Sequence, residues 1–157
     1  MYSSSNRVAA LGLDIGRKRI GVAGCDGTGL IATGLTTVYR RSFTEDVAEF
    51  QRLVAERQAQ ILVVGLPFNM DGSLGFQAKQ VQNYVKRLSR ALDLSVEFVD
   101  ERLTSVQAME LIRAEKRSSH DKGLIDRKAA AIILQQWLDE RRSRQRSSHP
   151  PESTSTP

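Results

Sequence analysis

Three carboxylate positions in this chain sit where secondary structure alone does not ask for them. Asp14 interrupts the apolar run Leu11-Gly12-Leu13-Asp14-Ile15. Asp100-Glu101 closes the apolar run Val96-Glu97-Phe98-Val99. Asp126 lies four, seven and eleven residues before Ala130, Ile133 and Trp137, so it shares their helical stripe. A carboxylate on a core-facing strand or stripe must find a partner or a metal. An acidic residue near a helix start is favoured by the helix dipole, but that accounts for an exposed aspartate rather than one on the buried stripe. Carboxylates that converge repel one another, and a hard divalent cation such as Mg²⁺ or Mn²⁺ resolves the repulsion with oxygen ligands. Such a site can activate water and stabilise charge on a phosphodiester, commonly with two metals about 3.5–4 Å apart. Zinc is not expected, because Cys25 is the single cysteine and His120 and His149 fall in an expected loop and tail. The chain offers no convincing Ser-His-Asp or Cys-His set.

The elements that must position these groups follow from hydrophobic period. Val8–Ile15, Ile20–Cys25 and Leu30–Val38 read as three strands joined by the turns Arg17-Lys18-Arg19 and Asp26-Gly27-Thr28-Gly29, an antiparallel meander. Ser42 and Glu45 have capping-box spacing and start a helix carrying Val47, Phe50 and Val54, ending near Arg57. Ile61–Leu66 is a continuous apolar run, as in a strand buried on both faces. Pro67 stops it, and Phe68–Ser73 is a loop. A second helix carries Val81, Tyr84, Val85, Leu88 and Leu92, and Val96–Val99 is a fifth strand. Thr104 and Gln107 suggest another cap, with Ala108, Leu111 and Ile112 on an apolar side. Arg113–Lys122 is expected as a mobile loop, followed by a last helix starting near Gly123. Helices that connect the later strands make those strands parallel to the first. The result is an α/β fold with a mixed five-stranded sheet, three antiparallel strands then two parallel, and helices packed on its faces. Ligands of such sheets bind beyond the carboxyl ends of the parallel strands, where Asp14 and Asp100-Glu101 fall. Side-chain alternation allows only one of Asp100 and Glu101 to face the site, and parity does not say which.

The bulk properties agree with one soluble domain. The chain has 157 residues, 40% hydrophobic and 26% charged, with a formal net charge of +5. Residues 141–157 hold four arginines against one glutamate, so most of the excess lies there. We expect a flexible leader at residues 1–7, a folded domain over 8–140 and a disordered basic and polar tail over 141–157. The apolar run after the polar start is too short for a membrane span, which points to a cytoplasmic protein.

Four blocks carry a family resemblance: Gly12-Leu13-Asp14-Ile15-Gly16-Arg17-Lys18-Arg19-Ile20-Gly21-Val22-Ala23, Val64-Gly65-Leu66-Pro67-Phe68-Asn69-Met70-Asp71-Gly72-Ser73, Val99-Asp100-Glu101-Arg102-Leu103-Thr104-Ser105, and Lys122-Gly123-Leu124-Ile125-Asp126-Arg127-Lys128-Ala129-Ala130-Ala131. In this order the chain resembles the YqgF family, small Holliday-junction-resolvase-like proteins regarded as nucleases of precursor 16S ribosomal RNA. The resemblance implies a ribonuclease H-like fold. It implies that Asp14, Glu101 and Asp126 match the acidic metal positions of that superfamily, with Glu101 rather than Asp100 inward. Gly24-Cys25 and the segment after Arg141 depart from the family pattern.

Among the motif residues, Gly12, Gly16 and Gly21 are expected to serve close backbone approach and the turn. Arg17, Lys18, Arg19, Asn69, Arg102, Lys122 and Arg127 are candidate nucleic-acid contacts, and Lys116-Arg117 could track a backbone. The expectation is a Mg²⁺- or Mn²⁺-dependent nuclease with Asp14, Glu101 and Asp126 as metal ligands and catalytic residues. Its substrate would be structured RNA, precursor 16S rRNA alone or in pre-ribosomal particles, in ribosome biogenesis. The alternatives are the same chemistry on branched DNA and a non-catalytic nucleic-acid-binding module. An actin-like ATPase or kinase would need a second copy of the Asp-Gly hairpin, and the chain has one.

Overall fold

The computed structural model describes residues 8–69, 71–101, 111–112, 114–115, 117–118 and 120–148. The element order is β1 (Ala10–Ile15), β2 (Arg19–Cys25), β3 (Ala32–Tyr39), α1 (Phe43–Arg57), β4 (Ile61–Leu66), α2 (Phe76–Leu92), β5 (Ser95–Asp100) and α3 (Lys122–Ser148). The strands form one sheet in the order β3-β2-β1-β4-β5. β1 pairs antiparallel with β2, and β2 with β3, while β4 runs parallel to both β1 and β5. This is the mixed sheet expected from the element order.

The two faces of the sheet are built from different residues. Leu11, Leu13 and Ile15 of β1 join Ile20, Val22, Leu62, Val64 and Leu66 in a core covered by Phe50 and Leu53 of α1 and by Val81, Val85 and Leu88 of α2. The alternate positions of β1 are Ala10, Gly12 and Asp14. Their face carries Ala23, Val63 and Val99 and is covered by Ala130, Ile133, Leu134 and Trp137 of α3. Bulky branched residues on one face therefore hold α1 and α2 off the sheet, and small residues on the other let α3 lie close. A methyl group on Gly12 would stand 2.7 Å from the Leu134 Cβ, and one on Gly21 would stand 2.0 Å from the Asp126 carbonyl oxygen. No side chain fits at Gly21 while α3 keeps its place.

Local signals set the helix ends. The Ser42 Oγ accepts the Glu45 N–H at 3.1 Å and donates to Glu45 Oε1 at 3.3 Å, so the expected cap is formed. α1 ends at Gln58, which takes a left-handed conformation with φ 52°. Inside α1, Asp46 is buried. Its carboxylate accepts the Tyr84 hydroxyl at 3.0 Å and the Arg41 N–H at 3.1 Å, tying α1 to α2. Burial, and then the Asp46 carboxylate, push the Tyr84 phenol above its ordinary range.

Two expectations need correction. The segment expected as a loop over Arg113–Lys122 is helical at Ala114, Glu115, Arg117 and Ser118, and Lys122 already begins α3. Polar composition there reflects solvent exposure rather than absence of helix. The tail expected to be disordered from Arg141 continues α3 to Ser148. Arginine and glutamine are good helix formers, and the buried stripe upstream has already paid the nucleation cost. The Thr104–Gln107 cap lies outside the described residues.

Two predictions follow from these contacts. Gly21→Ala should lower the unfolding free energy by about 1–3 kcal/mol or more, because a backbone carbonyl cannot rotate aside. Gly34→Ala, whose new methyl would meet the Arg127 Cβ at 3.0 Å, should cost less; chemical denaturation of both variants tests the ranking. The raised Tyr84 phenol contributes stability that is complete below pH 10, its ordinary value, and is lost as pH rises further. Wild-type stability should therefore fall above pH 10 more steeply than that of Tyr84→Phe, measured by urea melts across that range.

Candidate active site

Asp14, Glu101 and Asp126 line a single cavity of about 290 Å³ together with Gly16, Gly65 and Pro67. Each arrives by a separate local reason. Asp14 follows Ala10 and Gly12 at two-residue spacing, so it points to the α3 face, at the carboxyl end of β1. Val99 packs in the core beneath α3, so Glu101, two residues on, falls on that same side while Asp100 alternates away. Asp126 shares the α3 stripe with Ala130, Ile133 and Trp137 and is 2% exposed. Asp14 is paired in register with Gly21, and the missing side chain of Gly21 admits the Asp126 backbone. Gly65 plays the same part for Glu101, since a methyl there would stand 2.9 Å from Glu101 Oε1. The cavity thus lies beyond the carboxyl ends of three parallel strands.

Among the described residues, Arg19 brings a cation to Asp126. Its Nε donates to Asp126 Oδ2 at 2.6 Å, with the arginine side chain 22% exposed and the aspartate 3%. A charge-assisted bond to a buried carboxylate offsets much of the cost of burying it. Arg19 was expected among the nucleic-acid contacts; the structure engages it inside the site instead. The hairpin that presents it is itself held, as Gly16 N–H donates to the Arg19 carbonyl at 2.9 Å and Arg40 donates from its backbone to Lys18 O at 2.9 Å and from its guanidinium to Gly16 O at 2.7 Å.

The other candidates are placed elsewhere. Arg17 and Lys18 are exposed on the hairpin turn, outside the carboxylate cavity. Asn69 organises its own loop, donating from its amide to Ser73 Oγ at 3.0 Å, and does not line the cavity. Gly72 in that loop has φ 87°, a left-handed conformation that favours glycine. Lys122 is exposed at the start of α3. Arg127 donates to the Gly123 carbonyl at 3.3 Å and packs its stem over Gly34. Arg102 and Lys116 lie outside the described residues, and Arg117 is exposed. Sequence reasoning missed Gly65, Asp46 and Arg40. The signal for Gly65 was a glycine inside an otherwise bulky buried strand; Asp46 looked like an ordinary first-turn acid.

Three carboxylates provide the oxygen donors a hard divalent cation takes. Among the described residues no three Asp, Glu, His or Cys side chains are gathered closely enough to share one ion as they stand. Chemistry and common cavity fit such a cation, and holding one would require the carboxylates to draw together, with Asp126 shared between the ion and Arg19.

A five-stranded mixed sheet in this order, with helices on both faces, is a ribonuclease H-like fold. Its backbone is similar to the Thermus thermophilus RuvC structure bound to a Holliday junction substrate, with a TM-score of 0.53, 15% identity, and coverage of 86% of this chain and 96% of that one. A second T. thermophilus RuvC structure gives a TM-score of 0.53 at 14% identity, covering 87% and 97%. Residues 8–140 match the RuvX family, described as Holliday junction resolvase, and the chain belongs to that family. A Rippkaea orientalis protein named "Putative pre-16S rRNA nuclease" is 69% identical over 137 residues, covering 87% of this chain and 99% of the relative. A relative of the same name from Trichormus variabilis is 67% identical over 142 residues, covering 90% and 94%. No helix among the described residues is long and apolar enough to cross a membrane.

The Arg19–Asp126 pair gives a direct test of the site's electrostatics. In a double-mutant cycle of Arg19→Gln and Asp126→Asn, the coupling energy from denaturant unfolding should be about 1–3 kcal/mol. A coupling near zero would show the pair to be incidental.

Proposed function

We propose that this protein is a divalent-metal-dependent nuclease that hydrolyses phosphodiester bonds in structured RNA and processes the 5′ end of precursor 16S rRNA. The observation that carries this reading is the meeting of Asp14, Glu101 and Asp126 in one cavity at the carboxyl ends of the parallel strands. The names of the relatives favour RNA as the substrate. A Mg²⁺ or Mn²⁺ ion held by these carboxylates would activate water and stabilise the leaving oxyanion. The chain's own contribution is positional. The backbone of Asp14 is fixed by the β1–β2 ladder and that of Asp126 by the seat of α3 on Gly21, so drawing the carboxylates onto an ion would fall to their side chains. Arg19 balances charge at Asp126 and holds that carboxylate in place. Cytoplasmic action in ribosome biogenesis follows from this substrate.

The family description favours one second reading, the same chemistry on branched DNA. Purified protein with Mg²⁺ or Mn²⁺ should be incubated separately with precursor small-subunit RNA and with a four-way DNA junction. Metal-dependent cleavage of the RNA is expected, falling by about 100-fold or more in each of Asp14→Asn, Glu101→Gln and Asp126→Asn. Cleavage of the junction alone would move the substrate to DNA. Binding of either without cleavage would make the chain a recognition module, and equal cleavage by the variants would remove the carboxylates from the mechanism.

A further inference from the structure

A second cavity, of about 420 Å³, lies on the other side of the β1–β2 hairpin and shares Ile15, Gly16 and Gln77 with the carboxylate cavity. Its walls bring together Arg17, Arg40 and Arg87 with Gln77, Gln80 and Asn83, and among the described residues no acidic one lines it. Three guanidinium groups facing one space repel one another, and an anion placed among them relieves that repulsion. Two of the three are held in place. The Arg40 guanidinium stacks 4.3 Å from the Tyr84 ring centroid and donates to the Gly16 carbonyl at 2.7 Å. The Arg87 guanidinium stacks 4.0 Å from the Phe43 ring centroid. Phe43 and Tyr84 pack edge-to-face with centroids 5.9 Å apart, and the Tyr84 hydroxyl is anchored on the buried Asp46. Stacking of this kind leaves the edge N–H donors of a guanidinium directed outward, the arrangement that suits a phosphate oxygen.

We propose that this cleft is a phosphate-binding subsite for the nucleic-acid strand whose scissile bond lies at Asp14, Glu101 and Asp126. The inference rests on the nuclease reading of the carboxylate cavity and adds a second anchoring point to it. Arg87 and Arg40 hold backbone phosphates flanking the scissile one, and Gln77, Gln80 and Asn83 supply neutral donors along the same strand. Arg17, on the turn between the two cavities, lies on the path from one to the other. The contacts are to the backbone, so they fix the strand's register and carry no base preference.

The test measures equilibrium binding of a fluorescent structured RNA by anisotropy across a salt series, in an Asp14→Asn background so that the probe is not cut. Arg87→Gln should weaken binding about three- to tenfold at low salt and reduce the slope of log Kd against log salt by about 0.7–0.9. Lys86→Gln removes the same charge from the neighbouring position of α2, outside the cleft, and should leave the slope nearly unchanged. Arg87→Lys keeps the charge and should retain most of the slope. Should Arg87→Gln melt early by circular dichroism, Asn83→Asp, an exposed change that adds a negative charge to the cleft, should weaken binding in its place. Equal slopes in Arg87→Gln, Lys86→Gln and the parent would overturn the subsite, as would undiminished binding by Asn83→Asp. Competition by a nucleoside monophosphate as strong as by the RNA would also overturn it, showing a small-anion site instead. Absence of cleavage by the otherwise wild-type protein, with the slope change intact, would sink the nuclease reading and leave the strand subsite standing.

Discussion

The close seat of α3 on the sheet is the constraint on which the rest of this structure depends. The Asp126 backbone lies against Gly21, and Ala130 and Leu134 lie against Gly12, at distances that leave no volume for a methyl group. Helices normally stand off the elements they pack against because side chains intervene. Here the sheet withdraws its side chains along one track, and the helix comes nearer. That approach is what places a carboxylate from the end of the chain beside one from its first strand. It also explains the division of labour between the faces. Leu11, Leu13 and Ile15 supply apolar burial on the α1–α2 side, at about 1.5–3 kcal/mol for each large side chain. The α3 side can then give up bulk at Gly12, Gly21 and Gly65 in exchange for geometry.

A second constraint is electrostatic. Bringing Asp14, Glu101 and Asp126 to one cavity concentrates like charge in a place only partly open to water. Arg19 meets part of this, at 2.6 Å from the most buried of the three. The guanidinium can do so only because the β1–β2 turn is tight and fixed, with Gly16, Lys18 and Arg40 closing it by main-chain and side-chain hydrogen bonds. The same hairpin thus delivers Asp14 on one strand and its neighbour's counter-charge on the next.

The fold and the positions of Asp14 and Asp126 were legible in the sequence from apolar runs and a helical stripe, whereas Glu101 was favoured over Asp100 only by the family resemblance. The apolar runs of β1 and β4 marked the strands, and the Asp126–Ala130–Ile133–Trp137 stripe predicted a buried aspartate. The choice of Glu101 over Asp100 was not legible from parity alone; Val99, packed beneath α3, settles which side faces the cavity. Side-chain engagement was less accessible. Arg19 reads as one of three equivalent basic turn residues, and only the hairpin register and the position of α3 separate it from Arg17 and Lys18. Asn69 sits in a motif block, yet its amide closes a local turn with Ser73. Arg40 and Arg87 carry no sequence signal, since they lie 47 residues apart and meet through the Phe43–Tyr84 ring pair. Composition misled at the C-terminal end, where charge was taken for disorder although α3 continues to Ser148.

An acidic centre that acts on a polyanion faces a difficulty that its own ligands cannot solve. The carboxylates that would hold a cation repel the substrate until that cation is bound, and even then leave little net attraction for the flanking phosphates. Net charge of the whole chain, at +5, is too diffuse to answer this, and most of it lies beyond residue 140. Charge must be placed within a Debye length, about 8–10 Å at ordinary ionic strength, to be felt by a strand at the site. The hairpin turn at Gly16 divides the two requirements. On one side stand Asp14, Glu101 and Asp126, and on the other Arg17, Arg40 and Arg87, with Ile15, Gly16 and Gln77 as the shared wall. Because Arg40 also hydrogen-bonds the Gly16 carbonyl, force applied to the arginine cleft acts on the turn that carries Asp14 and Arg19. Arg40 thus links the arginine cleft to the turn that follows Asp14 at two points, the Gly16 and Lys18 carbonyls.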